Sequence, residues 1–162
     1  MSRETNAPGA RHRLGLAWLL LCAAVAAHVA DEALTGFLSV YNPTVLALRQ
    51  RLGWWPMPTF TYEAWLSGLV VGIAILFALS PLAFRNARGF RPLAYVFAAL
   101  MTLNGIGHTV GTIAGRTVES IRFPRPMPGF YSSPLLIAAS IYVLVELRRS
   151  AQPGRGRPGP RS

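Results

Sequence analysis

The chain has 162 residues, of which 52% are hydrophobic and only 14% carry charge. This length suits one domain, and this composition is typical of an integral membrane protein rather than a soluble one. All of the positive charge comes from Arg, and the Arg residues lie between and beyond the apolar runs. They form no basic stripe with interleaved aromatic residues, so the net charge of +10 argues for membrane topology and not for a nucleic-acid partner. The single cysteine, Cys22, excludes an intramolecular disulfide.

Four apolar stretches follow one another along the chain, and each is long enough to cross a hydrocarbon core of about 30 Å as a helix. They cover residues 14–40, 62–84, 93–114 and 130–147. The first is longer than a span needs, so we expect it to tilt or to end near Glu32. The pattern predicts an all-α protein, a four-helix transmembrane bundle. The predicted organisation is a cytoplasmic tail at 1–13, a membrane domain at 14–147 and a disordered cytoplasmic tail at 148–162.

The distribution of Arg predicts the orientation of the spans. Eleven of the sixteen Arg residues lie in the two tails and in the second connection, and five lie in the first and third connections. The positive-inside rule therefore places both termini in the cytoplasm, in what we expect to be a bacterial plasma membrane. A cleaved signal peptide ending at Ala27 is the alternative for the first stretch, but apolar sequence continues through Val40 and favours a span.

The first outer connection carries its own helical pattern. Asn42 and Pro43 are typical of a helix start, an amphipathic stretch follows, and Trp54 and Trp55 come next. This predicts a short interfacial helix with an aromatic anchor, serving as a linker that rests on the membrane or as a lid over a site. In the third span, Gly107, Gly111 and Gly115 repeat at four-residue spacing, which predicts close approach of another helix.

Ionisable residues inside the first span give the strongest functional signal. His28 is followed by Asp31 and Glu32 at spacings of three and four residues, so all three can share one helix face. Such groups are costly in a membrane and usually face a protein interior or a wet cavity. They therefore predict a site.

A second histidine maps to the same depth. His108 lies about 24 Å along the third span and His28 about 21 Å along the first, and both spans run outward. Asn104 lies one turn before His108 and shares its face. We therefore expect the two imidazoles to meet in the outer half of the bundle. The starts of the returning spans supply further candidates in the same layer: Glu63, Glu119, Pro128, Gly129 and Tyr131.

Two imidazoles and several carboxylates in one layer suit three kinds of site. Histidine nitrogen and carboxylate oxygen are the ligands of catalytic zinc and of non-haem iron, so His28, Asp31, Glu32 and His108 are candidate metal ligands, with Glu63 and Glu119 as weaker ones. Without a metal, the same groups suit a general acid–base pair or a proton relay. A buried ion pair between His28 and Asp31 or Glu32 that fixes helix packing is the purely structural alternative.

These residues resemble a known family. His28-Val29-Ala30-Asp31-Glu32, a later His108 and Pro128-Gly129 before the last span are similar to the HXXEE-domain family, with Asp31 in place of the first Glu and Pro126 in place of the Tyr of its YXPG motif. The resemblance covers approximately residues 14–147. It implies a small integral membrane protein, suspected to be an enzyme of unknown reaction, and carries over His28, Glu32, His108, Pro128 and Gly129.

The function that we expect is a membrane-embedded enzyme. The catalytic candidates are His28, Asp31, Glu32 and His108, and the substrate-binding candidates are Asn104, Pro128, Gly129 and Tyr131. A divalent metal, zinc or iron, would support hydrolysis or acid–base chemistry on a lipid-like or amphipathic substrate. A small proton- or ion-coupled transporter is the main rival, although no inverted repeat is evident, and a non-catalytic accessory membrane protein is the third possibility.

Overall fold

A computed structural model of the protein describes residues 8–151, and within them the chain is mostly helical. The six helices are α1 (Pro8–Thr35), α2 (Leu38–Leu52), α3 (Tyr62–Ala78), α4 (Ser80–Phe84), α5 (Phe90–Ala114) and α6 (Ser133–Ala151). One antiparallel hairpin of β1 (Arg116–Val118) and β2 (Ile121–Arg122) lies between α5 and α6. The all-α prediction therefore holds for the bulk of the protein. The hairpin, predicted as a loop, is the exception.

Helical structure extends into both predicted tails. Helix α1 begins at Pro8, inside the predicted tail 1–13, and α6 runs on to Ala151, inside the predicted disordered segment 148–162. The disorder predicted from Gln152 onward lies outside the described residues.

Contacts between side chains fix the relative directions of the helices. Trp18 packs edge-on against Phe90 with ring centroids 4.7 Å apart, and ten residues further along α1 His28 contacts His108 at the same centroid distance. Helices α1 and α5 therefore run in the same direction. Helix α6 runs against α1, because the start of α1 contacts the end of α6 through Arg13 and Glu146.

Three helical segments are long and apolar enough to cross a membrane: His12–Thr35, Tyr62–Phe84 and Phe90–Ala114. The second combines α3 and α4, which are separated only at Leu79, just before Pro81. Proline has no backbone N–H to continue the helical hydrogen bonds, which accounts for a break at this point. The fourth predicted span, α6, has 19 residues and carries Glu146, Arg148 and Arg149 near its end.

The first span ends at Thr35 because Gly36 stops the helix. Gly36 has a φ of +78°, and the N–H of Phe37 donates to the carbonyl of Glu32 at 2.9 Å. This left-handed glycine with a six-to-one hydrogen bond is the Schellman ending of a helix. The prediction left the end open between Glu32 and Val40, and the turn at Gly36 settles it.

The first connection contains a helix, as predicted, but the predicted start of that helix was wrong. Helix α2 begins at Leu38 and contains Pro43 within it. The Asn42 side chain is not a cap: its amide donates to the carbonyl of Phe60 at 2.9 Å, and its oxygen accepts from the N–H of Phe60 at 3.1 Å. Asn42 therefore ties the extended segment before α3 onto α2.

The glycine ridge predicted in α5 is only partly a packing surface. Gly107 is exposed, and a Cβ built there meets nothing within 4 Å, so its predicted contact with another helix was wrong. A Cβ on Gly111 would overlap Met127 of the following loop, and one on Gly105 would lie 2.6 Å from Ile137 of α6. The close approach of α5 and α6 therefore takes place at Gly105, which the four-residue repeat does not contain.

Candidate functional site

Three buried side chains from two helices converge at one point in the bundle. His28 and Glu32 are one turn apart on α1, and His108 comes from α5; their exposed fractions are 3%, 6% and 3%. Glu32 Oε1 lies 3.1 Å from His108 Nε2 and 3.5 Å from His28 Nε2. The histidines predicted to share a layer therefore lie in contact, with one carboxylate oxygen between them.

The orientation of the His108 ring is fixed from the far side. His108 Nδ1 lies 2.5 Å from the carbonyl oxygen of Pro128. A carbonyl oxygen only accepts hydrogen bonds, so Nδ1 must carry a hydrogen and donate it. In a neutral ring, Nε2 then presents its lone pair to Glu32.

His28 is oriented by a short relay that ends at a carboxylate. Its Nδ1 lies 2.8 Å from Ser132 Oγ, and that hydroxyl donates to Asp31 Oδ2 at 2.8 Å. Asp31 Oδ2 also accepts the backbone N–H of Ser132 at 2.8 Å. With its hydrogen committed to Asp31, the Ser132 hydroxyl can only accept from His28 Nδ1. His28 therefore also turns the lone pair of Nε2 toward Glu32.

Asn104 completes the arrangement around His28. Its side-chain nitrogen lies 3.0 Å from His28 Nε2, with the amide placed to donate to that nitrogen. This contact requires a lone pair on Nε2, which agrees with the hydrogen assigned to Nδ1 by the Ser132 relay.

The loop before α6 closes over the site, and Gly129 makes this possible. Gly129 has a φ of +84°, and a Cβ there would lie 2.8 Å from His108 Cε1 and 2.9 Å from Glu32 Cγ. Its N–H donates to Thr35 Oγ1 at 3.3 Å, and its carbonyl accepts from Ser133 Oγ at 2.7 Å. Only glycine combines this backbone conformation with such close approach to the two ligating side chains.

The three converging atoms match the spacing of ligands around one metal ion. With metal–ligand bonds of 2.0–2.2 Å, tetrahedral ligands lie about 3.4 Å from one another. The two nitrogen–oxygen separations of 3.1 and 3.5 Å bracket that value, and all three ligand atoms lie within 4.8 Å of one another. A metal-binding histidine usually donates its other ring N–H to a carbonyl or carboxylate, as His108 does to Pro128 and His28 does through Ser132. The His28, Glu32 and His108 group could therefore hold a metal ion.

The electrostatics of the cluster also call for a positive charge. The carboxylate oxygen of Glu32 and the lone pair on His108 Nε2 repel one another unless a proton or a cation lies between them. The lone pair on His28 Nε2 accepts from Asn104, so a metal ion at this nitrogen would displace that donor. Within residues 8–151 no Arg side chain forms an ion pair with Glu32. The negative charge of Glu32 is therefore compensated either by a shared proton or by a bound ion.

A cavity of about 250 Å³ adjoins the cluster. His28, Glu32 and Asn104 line one part of it. The rest of its wall is made of apolar residues and one glycine, from α1, α3 and α5: Val25, Val29, Leu69, Gly72, Ile73, Leu76, Phe97 and Met101. The ligating groups are thus accessible from an apolar pocket.

Some of the remaining predicted residues contact the cluster, and others lie exposed away from it. Asp31 and Asn104 orient His28, while Pro128 and Gly129, predicted to bind substrate, are buried against His108 and Glu32 and do not line the cavity. Tyr131 is 70% exposed and packs edge-on against Phe130. Glu63 is exposed in the first turn of α3.

Glu119 was expected to stay in phase with His108 if the helix continued. Helix α5 instead ends at Ala114, where Gly115 adopts a φ of +68°. Glu119 consequently lies exposed in the turn of the hairpin.

Ser132 is the residue that sequence reasoning missed. It lies three residues after Gly129 and connects Asp31 to His28. A serine pair, Ser132 and Ser133, before an apolar helix has no distinctive pattern. Its only signal was its place next to the Pro128–Gly129 pair, in the layer already predicted to hold the site.

Comparisons of the chain with protein-family models, with curated proteins and with solved structures find no match. The functional argument therefore depends on the geometry of the cluster and on the cavity beside it.

Proposed function

We propose that the chain is an HXXEE-type, four-span membrane protein and a metal-dependent enzyme that acts on a lipid-like or amphipathic substrate. The single observation that carries the proposal is the convergence of His28 Nε2, Glu32 Oε1 and His108 Nε2 at the end of an apolar cavity. Two histidines and one carboxylate, with further coordination positions open, are the ligand set of catalytic zinc and of non-haem iron sites.

The proposed membrane setting has α6 as the fourth span. The apolar first part of α6 packs between α1 and α5, and its buried Glu146 is paired with Arg13 at 3.3 Å and Arg149 at 2.8 Å. Long Arg side chains reach toward the interface from such positions, which makes a charged helix end compatible with a span. With both termini cytoplasmic, the cluster lies in the outer half. Reporter fusions should give cytoplasmic signals at both ends, and an external C-terminus would contradict this orientation.

The chemistry follows from the residues around the ion. A metal with an open position supplies Lewis acidity and a water molecule activated near neutral pH. His28, Glu32 and His108 would hold the ion, and Asp31 with Ser132 would keep the His28 ring in its ligating orientation. Asn104 lines the cavity next to His28, so its amide is placed to donate to a polar group of the substrate. Together these groups suit hydrolysis or acid–base chemistry at the polar end of the cavity.

Metal analysis of the purified protein tests the proposal directly. We expect about one zinc or iron ion per chain, and loss of that ion in His28→Ala and in His108→Ala. His12→Ala is a matched control, because His12 is the third histidine, lies on α1 like His28, and is exposed. Its metal content should equal that of the unmodified chain.

The opposite results would contradict the proposal. Equal metal content in all three variants would mean that the cluster is not the binding site. Metal-free protein that drives proton or ion uptake into vesicles would favour the transporter instead.

A further inference from the structure

The cavity beside the cluster changes character along the axis of the bundle. On α5, Phe97 and Met101 line it before Asn104, so its wall passes from apolar to polar over about 10 Å. On α1, Val25 precedes His28 and Glu32 in the same direction. On α3, which runs the other way, Leu76 lies at the apolar end. The cavity is therefore amphipathic, with its polar end at the candidate metal ligands.

The cavity lies between two helices whose backbones do not approach one another closely. Helix α3 packs on α1 and α5 packs on α6, which leaves a gap between the backbones of α3 and α5 that the cavity partly fills. Both helices carry exposed apolar side chains outside the cavity wall: Val70 and Val71 on α3, and Leu100 and Leu103 on α5. In a membrane, surfaces of this kind face hydrocarbon. A molecule that enters through the gap therefore comes from the lipid phase and not from water.

The size of the cavity limits what it can enclose. Its volume of about 250 Å³ lies below the ~300–1,000 Å³ of sites that enclose a drug-sized ligand. The cavity has room for part of one hydrocarbon chain and not for two chains side by side.

We infer that the cavity receives the single hydrocarbon chain of a membrane amphiphile, which enters sideways between α3 and α5. The polar head lies beside His28, Glu32 and Asn104, and the chain extends along α3 toward Leu76 and Phe97. This inference deepens the proposed function by naming the shape and the route of its substrate, and it rests on that function only for what happens at the head.

Gly72 offers a means of filling the cavity without disturbing the helix. Gly72 lies in the cavity wall, and a Cβ built on it meets nothing within 4 Å. Gly68 lies one turn earlier on the same helix, is exposed, lies outside the wall, and likewise meets nothing within 4 Å. Gly72→Leu and Gly68→Leu are therefore a matched pair that differ in whether the new side chain enters the cavity.

The test is photolabelling in phosphatidylcholine nanodiscs with a single-chain fatty acid that carries a diazirine near its methyl end. In the unmodified protein we expect labelling on the cavity residues Leu76 and Phe97 in preference to the outward-facing Val70 and Leu100. Gly72→Leu should reduce the cavity labelling about tenfold, because the added side chain occupies the space of the chain, and Gly72→Ala should reduce it less. Gly68→Leu should leave it unchanged.

The outcomes separate this inference from the proposed function. Labelling confined to outward-facing residues, or equal cavity labelling in Gly72→Leu and Gly68→Leu, would overturn the inference while the metal content stays as proposed. If Gly72→Leu lowers the cavity labelling, Gly68→Leu does not, and the protein binds no metal, then the inference stands and the proposal of a metal-dependent enzyme is contradicted. The labelling pattern of the unmodified protein decides the case even if Gly72→Leu does not fold.

Discussion

The bundle buries a glutamate near each of its two ends, and the two differ in what surrounds them. Glu146, 2% exposed, is paired with the Arg13 and Arg149 guanidinium groups, which are charged at every physiological pH. Glu32, 6% exposed, faces two imidazoles whose Nδ1 atoms are already occupied by Ser132 and Pro128. Burial is the same in both places, but only Glu146 has its charge compensated by permanent cations.

The groups around the two glutamates distinguish a carboxylate with a structural role from one that could bind a metal ion. The guanidinium groups around Glu146 satisfy the carboxylate with their own N–H donors, so no ion is needed there. The imidazoles offer Glu32 no N–H donor, since the Nε2 of each carries a lone pair, so the carboxylate is satisfied only when a proton or a cation joins it. Whether the partner presents an N–H donor or a lone pair to a buried carboxylate therefore says more about function than how deeply that carboxylate is buried.

The largest effect should come from replacing the buried glutamate at each end of the bundle with glutamine. Glu32→Gln removes the carboxylate between the two imidazoles, and we expect the bound ion to be lost. Glu146→Gln should lower the thermal unfolding midpoint, because it leaves two Arg without their buried partner, but it should keep about one ion per chain. Metal analysis and thermal unfolding of both variants make the comparison. Loss of metal from Glu146→Gln at intact fold would show that the two ends are not independent.

A smaller effect is expected from the relay behind His28. Ser132→Ala removes the hydroxyl that connects Asp31 to His28, and the loss of such a support typically weakens metal affinity about 10–100-fold. Ser140→Ala is the control, since Ser140 lies on α6 and its hydroxyl donates only to the Leu136 carbonyl of its own helix. Titration with a competing chelator measures both affinities. Equal affinities in the two variants would mean that Ser132 does not support metal binding by His28.

The smallest effect is expected on fold stability, at Gly129 and Gly107, two glycines whose roles the sequence does not distinguish. Gly129→Ala should destabilise the fold by about 1–3 kcal/mol, because the residue holds a φ of +84° against His108 and Glu32. Gly107→Ala should be neutral or raise stability by about 0.5–1 kcal/mol, because Gly107 is helical and its Cβ meets open space. Thermal unfolding in one detergent compares them. A stability loss in Gly107→Ala equal to that in Gly129→Ala would mean that α5 packs against a neighbour at that face.

Some parts of this arrangement follow from local periodicity and others do not. The one-turn spacing of His28 and Glu32 and the similar depth of His108 are properties of single helices, so the sequence could predict that they approach one another. Helix α1 ends as its glycine requires. The predicted start of α2 assumed that Asn42 caps the helix, but the Asn42 side chain binds Phe60, eighteen residues away. Periodicity contains no information about such a partner.

The groups that orient the two histidines could not be predicted from local sequence pattern either. The carbonyl of Pro128 and the hydroxyl of Ser132 act through the path of a loop, and that path depends on the backbone at Gly129. The exposure of Gly107 depended on which face of α5 meets α6, and small residues at Gly105 and Gly107 were both compatible with a contact. Choosing between them required the packing of a helix thirty residues further on.

The relay from Asp31 through Ser132 to His28 also sets an order of events during synthesis. The chain is made from its N-terminus at about 5–20 residues per second, so the hundred residues from Glu32 to Ser132 take roughly 5–20 s. During that interval α1 already carries His28, Asp31 and Glu32, while Ser132 and the Pro128 carbonyl do not yet exist. A ribosome-bound chain that stops before Pro128 therefore lacks the groups that orient both imidazoles. The three candidate ligands are held in their orientations only when the loop that precedes α6 has reached α1 and α5.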